Sequence, residues 1–104
     1  MRLCLKTKDV KYGRFIWNKE KEKINIEKHK VDFKTASRAF LDKKRIIAVD
    51  EKHSQKEERY FCIGKIDNKI ITIRFTYRRN LIRIIGAGYW RKGGALYEKT
   101  NKRR

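Results

Sequence analysis

Proline is absent from this chain, and cysteine, methionine and acidic residues are scarce. The two cysteines, Cys4 and Cys62, lie far apart and show no metal-ligand spacing. That argues against a structural zinc site and a disulfide-stapled fold, and fits two reduced thiols in a cytosolic protein. No apolar run approaches the roughly 20 residues of a membrane span. Residues 1–6 (MRLCLK) contain no stretch apolar enough for a signal peptide, so the expected location is the cytoplasm, with no membrane partner. No glycine-rich phosphate loop leads into a helix, no Ser-His-Asp set is visible, and no carboxylates cluster as they would around magnesium. The expectation is a protein that works without a metal or cofactor. There are no internal repeats.

What the chain does have is positive charge. Thirty Lys and Arg stand against twelve Asp and Glu in 104 residues, a formal net charge of +18. A hydrophobic share of 39%, with 12% aromatic, is too high for a wholly disordered basic protein, so one domain with a modest core is expected. Arg74, Arg78 and Arg83 interrupt apolar runs that read as strands. Cations fixed on a sheet imply a polyanion held in a defined register.

The chain divides into a basic extension (1–13), a single domain (14–98) and a basic tail (99–104) expected to be loose. The extension has weak periodicity and reads either as a short strand or as a loose arm. Residues 15–17 suit a strand. Asn18 is a helix N-cap followed by Glu20 and Glu22, where the helix dipole favours acids, and predicts a helix to about Lys28. Asn25 and His29 share a face near its C-terminal end. Asp32 caps a second helix with an apolar stripe at Phe33, Ala36 and Phe40, closed by Lys43 and Lys44. Strands follow at 46–49, 60–66, 69–77 and 81–85, with a polar loop at 50–58. Asp67-Asn68 is a two-residue hairpin turn, and residues 78–80 form a second turn. Residues 86–88 end the last strand, and 89–97 could be a helix broken at Gly93-Gly94.

This order predicts an α+β fold with N-terminal helices packed on one face of an antiparallel sheet of about four strands. In the 69–77 strand, Ile71, Ile73, Phe75 and Tyr77 share one face, while Thr72, Arg74, Thr76 and Arg78 share the other. The second face, with Arg74, Arg78 and Arg83, is the expected working face. Arginine has a planar fork that matches phosphate, so Arg74, Arg78, Arg79 and Arg83 are read as phosphate contacts rather than as a merely solvated sheet face. Glu57, Glu58, Arg59 and Tyr60 are either a surface charge pair at a strand entry or a carboxylate and an arginine carried to the edge of that face. His29, at a helix end, is either a capping group or an acid–base group. His53 reads as a solvated loop residue. Trp17 reads as core, whereas Tyr89 and Trp90, just before Arg91, are flat side chains that could stack on bases.

Several short motifs now stand in a familiar order: residues 15–18 (FIWN), 25–29 (NIEKH), 31–33 (VDF) with Ala36, Asp50, 57–60 (EERY) followed by Ile63-Gly64, 76–78 (TYR), 82–85 (IRII), and Tyr97-Glu98. Together they resemble the BrnT family of toxins from bacterial type II toxin–antitoxin systems, over about residues 15–98. The resemblance implies a RelE-like fold and a ribosome-independent, metal-free endoribonuclease that slows translation. It also implies a ribbon-helix-helix antitoxin similar to BrnA, two toxins pairing with two antitoxins, and operator DNA bound through the antitoxin. Two positions depart from the family pattern. Asn18 stands where Asp is usual, and residues 86–88 (GAG) stand where Ser-Ala-Arg is usual, so a family-typical Arg is missing at Gly88, unless Arg91 reaches back into its place.

Cutting RNA without a metal requires removing the 2′-hydroxyl proton, stabilising charge on the phosphate and protonating the leaving 5′-oxygen. The expected catalytic set is His29, Glu58, Arg78 and Arg83. Arg78 and Arg83 bind the phosphate, His29 or Glu58 is the base, and His29 or Lys28 is the acid. Lys28, Arg59, Arg74, Arg79, Arg91, Tyr89 and Trp90 are the expected RNA-binding residues. The alternative is a catalytically weak or inactive nucleic-acid-binding protein of the same fold, served equally well by the same charge.

Overall fold

The computed structural model describes residues 8–54 and 56–102; Cys4 lies outside them. Strands β1 (Asp9–Tyr12) and β2 (Phe15–Asn18) lead into helix α1 (Lys19–His29). Helix α2 (Phe33–Ala36) runs on into a 3₁₀ turn, Ser37–Leu41. Strand β3 (Ile46–Val49), a second 3₁₀ turn (Glu51–His53), β4 (Tyr60–Ile66), β5 (Lys69–Arg78), β6 (Leu81–Gly88) and α3 (Arg91–Lys102) complete the chain. Among the described residues no helix is long and apolar enough to cross a membrane.

The helix starts behave as their caps dictate. The Asn18 side chain accepts from the N–H groups of Glu20 (2.8 Å) and Lys21 (3.1 Å), and Asp32 accepts from the N–H of Thr35 (3.1 Å). Helix α1 has almost no apolar face, and Asn25 is its one buried residue. Strand β2 pairs with β6 only at Phe15–Ile82 and Ile16–Arg83, which leaves the rest of that edge of β6 without a strand neighbour. Asn25 fills the gap. Its Nδ2 donates to the Ala87 carbonyl (2.9 Å) and its Oδ1 accepts from the Ala87 N–H (3.1 Å), as a paired strand would. The apolar stripe predicted a single second helix, but α2 gives way to 3₁₀ geometry after one turn. The Ser37 hydroxyl donates back to the Lys34 carbonyl at 2.7 Å, a bond that competes with continued α-helix. The 3₁₀ segment then lies so close on β4 that a Cβ at Gly64 would stand 2.6 Å from the Ala39 carbonyl oxygen.

The sheet has six strands in the order β1-β2-β6-β5-β4-β3 and is mixed, because β2 and β6 run parallel. The expectation of about four antiparallel strands therefore changes. The extension contributes a strand, since residues 9–12 zip onto β2 through a turn with Gly13 at φ 60°. As a half-exposed edge, β1 has little need for the alternation that marks an inner strand. Strand β6 also runs on through Gly88. It carries a bulge, with Arg74 opposite Gly86 and Phe75 opposite Ile84, leaving Ile85 as the extra residue. Asp67 and Asn68, both at positive φ, make the expected tight hairpin turn.

The core lies between the sheet and the α2 region. Trp17, Phe33, Cys62, Ile71, Ile73, Phe75, Ile84 and Ala87 are buried there, with Trp17 edge-on to Phe33 and Phe40 edge-on to Phe75. Trp17 is core, as expected; its indole N–H donates to Glu22, whose other oxygen accepts from the Phe33 N–H, so one carboxylate ties β2, α1 and α2 together. Helix α3 packs on the opposite face, so the helices do not all lie on one side. It is also unbroken at Gly93-Gly94 and extends to Lys102, through residues expected to be loose. The reason is contact: a Cβ at Gly93 would fall 2.0 Å from Thr72 Oγ1, so glycine here lets the helix sit directly on β5. The buried Tyr97 then donates to Asp42 at 2.5 Å, anchoring the helix further along.

Candidate active site

Strand alternation puts Arg74, Thr76 and Arg78 of β5 on the face opposite Ile73 and Phe75. Thr76 is buried on that face, and its hydroxyl donates to the Glu58 carbonyl at 2.7 Å. This bond draws the segment before β4 across the end of β5. As a result, Glu57 Oε2 lies 3.3 Å from Arg78 Nη2 and 3.8 Å from Arg59 Nη2. One carboxylate is held by two guanidinium groups at the mouth of an open pocket of about 580 Å³, lined by Lys52, His53, Lys56, Glu57, Arg59 and Arg78. Arg59 Nε is buried and has no hydrogen-bond partner among the described residues. Four permanent cations thus line the pocket beside one carboxylate, and an excess of positive charge there favours an anion.

The pocket has a stitched frame. The Asp50 N–H donates to the Arg59 carbonyl (2.7 Å), Ser54 Oγ donates to the Asp50 carbonyl (2.7 Å), and the Arg59 N–H donates to Ser54 Oγ (2.9 Å). On this frame His53 Nδ1 lies 2.9 Å from Asp50 Oδ2. His53, read from sequence as a solvated loop residue, is thus half exposed but partnered. Asp50, quoted only as a motif residue, and Glu57, weighed with Glu58 as a carboxylate at the edge of the working face, were not in the expected catalytic or RNA-binding sets. The available signal was the three-residue spacing of Asp50 and His53, which brings side chains into line on a 3₁₀ turn.

The structure brings the candidates Arg59 and Arg78 together and leaves the others elsewhere. Glu58 is exposed and accepts from Tyr60 Oη at 2.7 Å. Arg83 lies opposite Thr76 on β6, but its Nη2 donates to Asp9 of β1 at 2.9 Å. His29 packs edge-on against Trp90, with ring centroids 5.0 Å apart. Trp90 also covers Gly88, where a Cβ would stand 2.9 Å from the indole ring. Arg74 is half-buried in mid-strand, Arg79 is exposed in the β5–β6 turn, and Lys28 is exposed in the last turn of α1. Tyr89 is exposed with Lys69 Nζ 5.7 Å from its ring, and Arg91 is exposed at the start of α3. Burial pushes the Cys62 thiol up to about 12, so it offers no thiolate nucleophile. Among the described residues no group of three His, Cys, Asp or Glu is placed to hold a metal ion.

Fold and pocket together define a small, strongly basic α+β protein with an open pocket lined by arginine, lysine, histidine and one glutamate. A family model described as the ribonuclease toxin, BrnT, of type II toxin–antitoxin systems matches residues 17–93, and the chain belongs to that family. Membership implies a ribonuclease toxin with an antitoxin partner. The matched segment contains the whole pocket and excludes β1. No curated protein matches the chain.

Proposed function

We propose that the chain is a metal-independent endoribonuclease that cuts RNA in the pocket of Arg59 and Arg78, and so inhibits translation in the cytoplasm. The observation that supports this reading is the Glu57 carboxylate held by two guanidinium groups. An RNA phosphodiester takes that place, Arg59 and Arg78 stabilise the extra charge of the transition state, and Glu57 is displaced. Glu57, once freed, accepts the 2′-hydroxyl proton. In this role it replaces His29 and Glu58, which do not line the pocket. Lys52 and Lys56, together with Arg74 and Arg79, contact flanking phosphates, while Arg83 stays with Asp9. The proposed partner is a ribbon-helix-helix antitoxin similar to BrnA, two toxins to two antitoxins, with operator DNA bound through the antitoxin. A surface of this charge suits an antitoxin that covers it.

The test is cleavage of a short RNA by the purified chain in EDTA, beside the same strand with 2′-deoxy at the cut site. The expected products carry a 2′,3′-cyclic phosphate and a 5′-hydroxyl, and the deoxy strand stays intact. Equal cutting of both strands, or a requirement for magnesium, overturns the mechanism. A second reading, binding without catalysis, is favoured by Trp90, which fills the space at Gly88 where the family resemblance implies an Arg. Tight binding of both strands with no cleavage of either would select it.

A further inference from the structure

We propose that His53 is the general acid of the cut and that Asp50 is its positioning residue; the assignment rests on the ribonuclease reading above. Asp50 is the buried member of the pair. Its side chain is only 4% exposed, and a buried carboxylate needs a partner. It stands directly before the Glu51–His53 turn, where an aspartate usually caps the backbone, yet it makes no capping bond. Its Oδ2 instead meets His53 Nδ1 at 2.9 Å. A carboxylate acceptor puts a hydrogen on Nδ1, so Nε2 is the nitrogen available to a substrate. The His53 side chain is 50% exposed and lines the same pocket as Arg59 and Arg78. The Asp50–Arg59 backbone bond fixes the imidazole and the Arg59 guanidinium to one frame.

The roles then divide by chemistry. The pocket's carboxylate, Glu57, serves as the acceptor, and among the pocket's nitrogen groups an imidazolium is intrinsically a stronger acid than a lysine ammonium or an arginine guanidinium, which makes His53 the donor. In the step, the 2′-oxygen gives its proton to Glu57 and bonds to phosphorus. The bond from phosphorus to the 5′-oxygen breaks, and that oxygen takes the proton from Nε2 of the imidazolium. The imidazole is left neutral, with its hydrogen still on Nδ1 and donated to the Asp50 carboxylate. Asp50 holds tautomer and ring orientation and touches no reacting atom.

The test uses two RNA substrates, one natural and one with sulfur in place of the leaving 5′-oxygen, since a thiolate departs without protonation. His53→Gln is expected to cut the natural RNA about 100-fold or more slowly than the parent and the thio substrate at nearly the parental rate. Asp50→Asn is expected to lose about 10-fold on the natural RNA and to be rescued in the same way. Arg78→Ala is expected to be slow on both, because sulfur does not replace a phosphate contact. Thermal unfolding of each variant separates lost chemistry from lost fold. Equal slowing of His53→Gln on both substrates, or no slowing on either, overturns the assignment and leaves the ribonuclease reading standing. A parent chain that cuts neither substrate overturns both.

Discussion

Two arginine–carboxylate pairs lie on the same side of the sheet, and they differ in what surrounds them. Arg78 meets Glu57 at 3.3 Å at the rim of the pocket, with side chains 53% and 33% exposed. Arg83 meets Asp9 at 2.9 Å, with exposures of 19% and 32%. The first pair is long, wet and shares its carboxylate with Arg59, so each partner can be exchanged at little cost. The second joins strands distant in sequence and clamps β1 to β6 across β2. Arginines in neighbouring strands can look alike in sequence while one lines an open pocket and the other holds the sheet's edge.

Alanine at each arginine gives the sharpest break between them. Arg78→Ala is expected to lower the cleavage rate by about 100- to 1,000-fold, the loss typical of one charge-stabilising donor. It should cost less than about 1 kcal/mol of stability, because the pair it breaks is exposed. Arg83→Ala is expected to cost about 1.5–3 kcal/mol, the range for a hydrogen bond to a charged group. For a domain of this size that lowers the melting temperature by roughly 6 °C or more. Cleavage and thermal unfolding measured on both variants decide the matter. If Arg83→Ala abolishes cutting with its melting temperature unchanged, the two pairs are alike and the comparison fails.

Asp42 and Tyr97 supply a control in which a carboxylate serves shape alone. Burial works to raise the Asp42 carboxyl, but bonds from Tyr97 Oη and the N–H groups of Lys44 and Lys65 outweigh it and hold the carboxyl below its ordinary value. Tyr97 is pushed up to about 12 by burial and by its bond to Asp42. The signs give two windows. A depressed carboxyl stabilises the fold at neutral pH, and that stability drains below about pH 4 as the group protonates. A raised phenol stabilises it below about pH 10, and that stability is lost as pH climbs toward the folded value. Tyr97→Phe is expected to cost about 1.5–3 kcal/mol near neutrality and to remove the phenol's share of the alkaline window, with cleavage by the folded protein unchanged. A cleavage defect in this variant would mean that α3 reaches the pocket's chemistry.

Much of the frame was legible because local rules acted alone. The caps at Asn18 and Asp32, the Asp67-Asn68 turn and the alternation of β5 need only neighbouring residues to specify them. What sequence could not show depends on contacts made at a distance. The strand in the extension is defined by its partner β2, the continuity of α3 by the seat of Gly93 on Thr72, and the length of β6 by Asn25 standing in for a strand. The candidate site divides in the same way. Arg59 and Arg78 could be picked out by type and by position on or beside strands. His53 had only its three-residue spacing from Asp50 to set it above His29, and that spacing becomes a contact only once the turn folds and buries the carboxylate. Glu57 and Glu58 are adjacent and chemically alike, and only the bond from Thr76 to the Glu58 carbonyl decides which of them faces the arginines.

Glu57→Gln tests the comparison from its other partner, with the smallest expected effect. If the Glu57 carboxylate occupies the place of a phosphate, every bound RNA must first displace it. Removing its charge while keeping its shape should therefore tighten binding of an uncleavable, 2′-deoxy-substituted RNA by roughly 2- to 5-fold, the worth of one exposed ion pair. Asp9→Asn at the other pair should not tighten binding, since Arg83 is committed to the sheet edge, and should instead lower the melting temperature. Glu57→Gln should also cut more slowly despite its tighter binding, because glutamine cannot take the 2′-hydroxyl proton. Titration of both variants with the same labelled strand at fixed salt provides the measurement. Equal tightening by both substitutions would show that the gain comes from overall charge alone, and the distinction between a carboxylate that yields its place and one that keeps it would be lost.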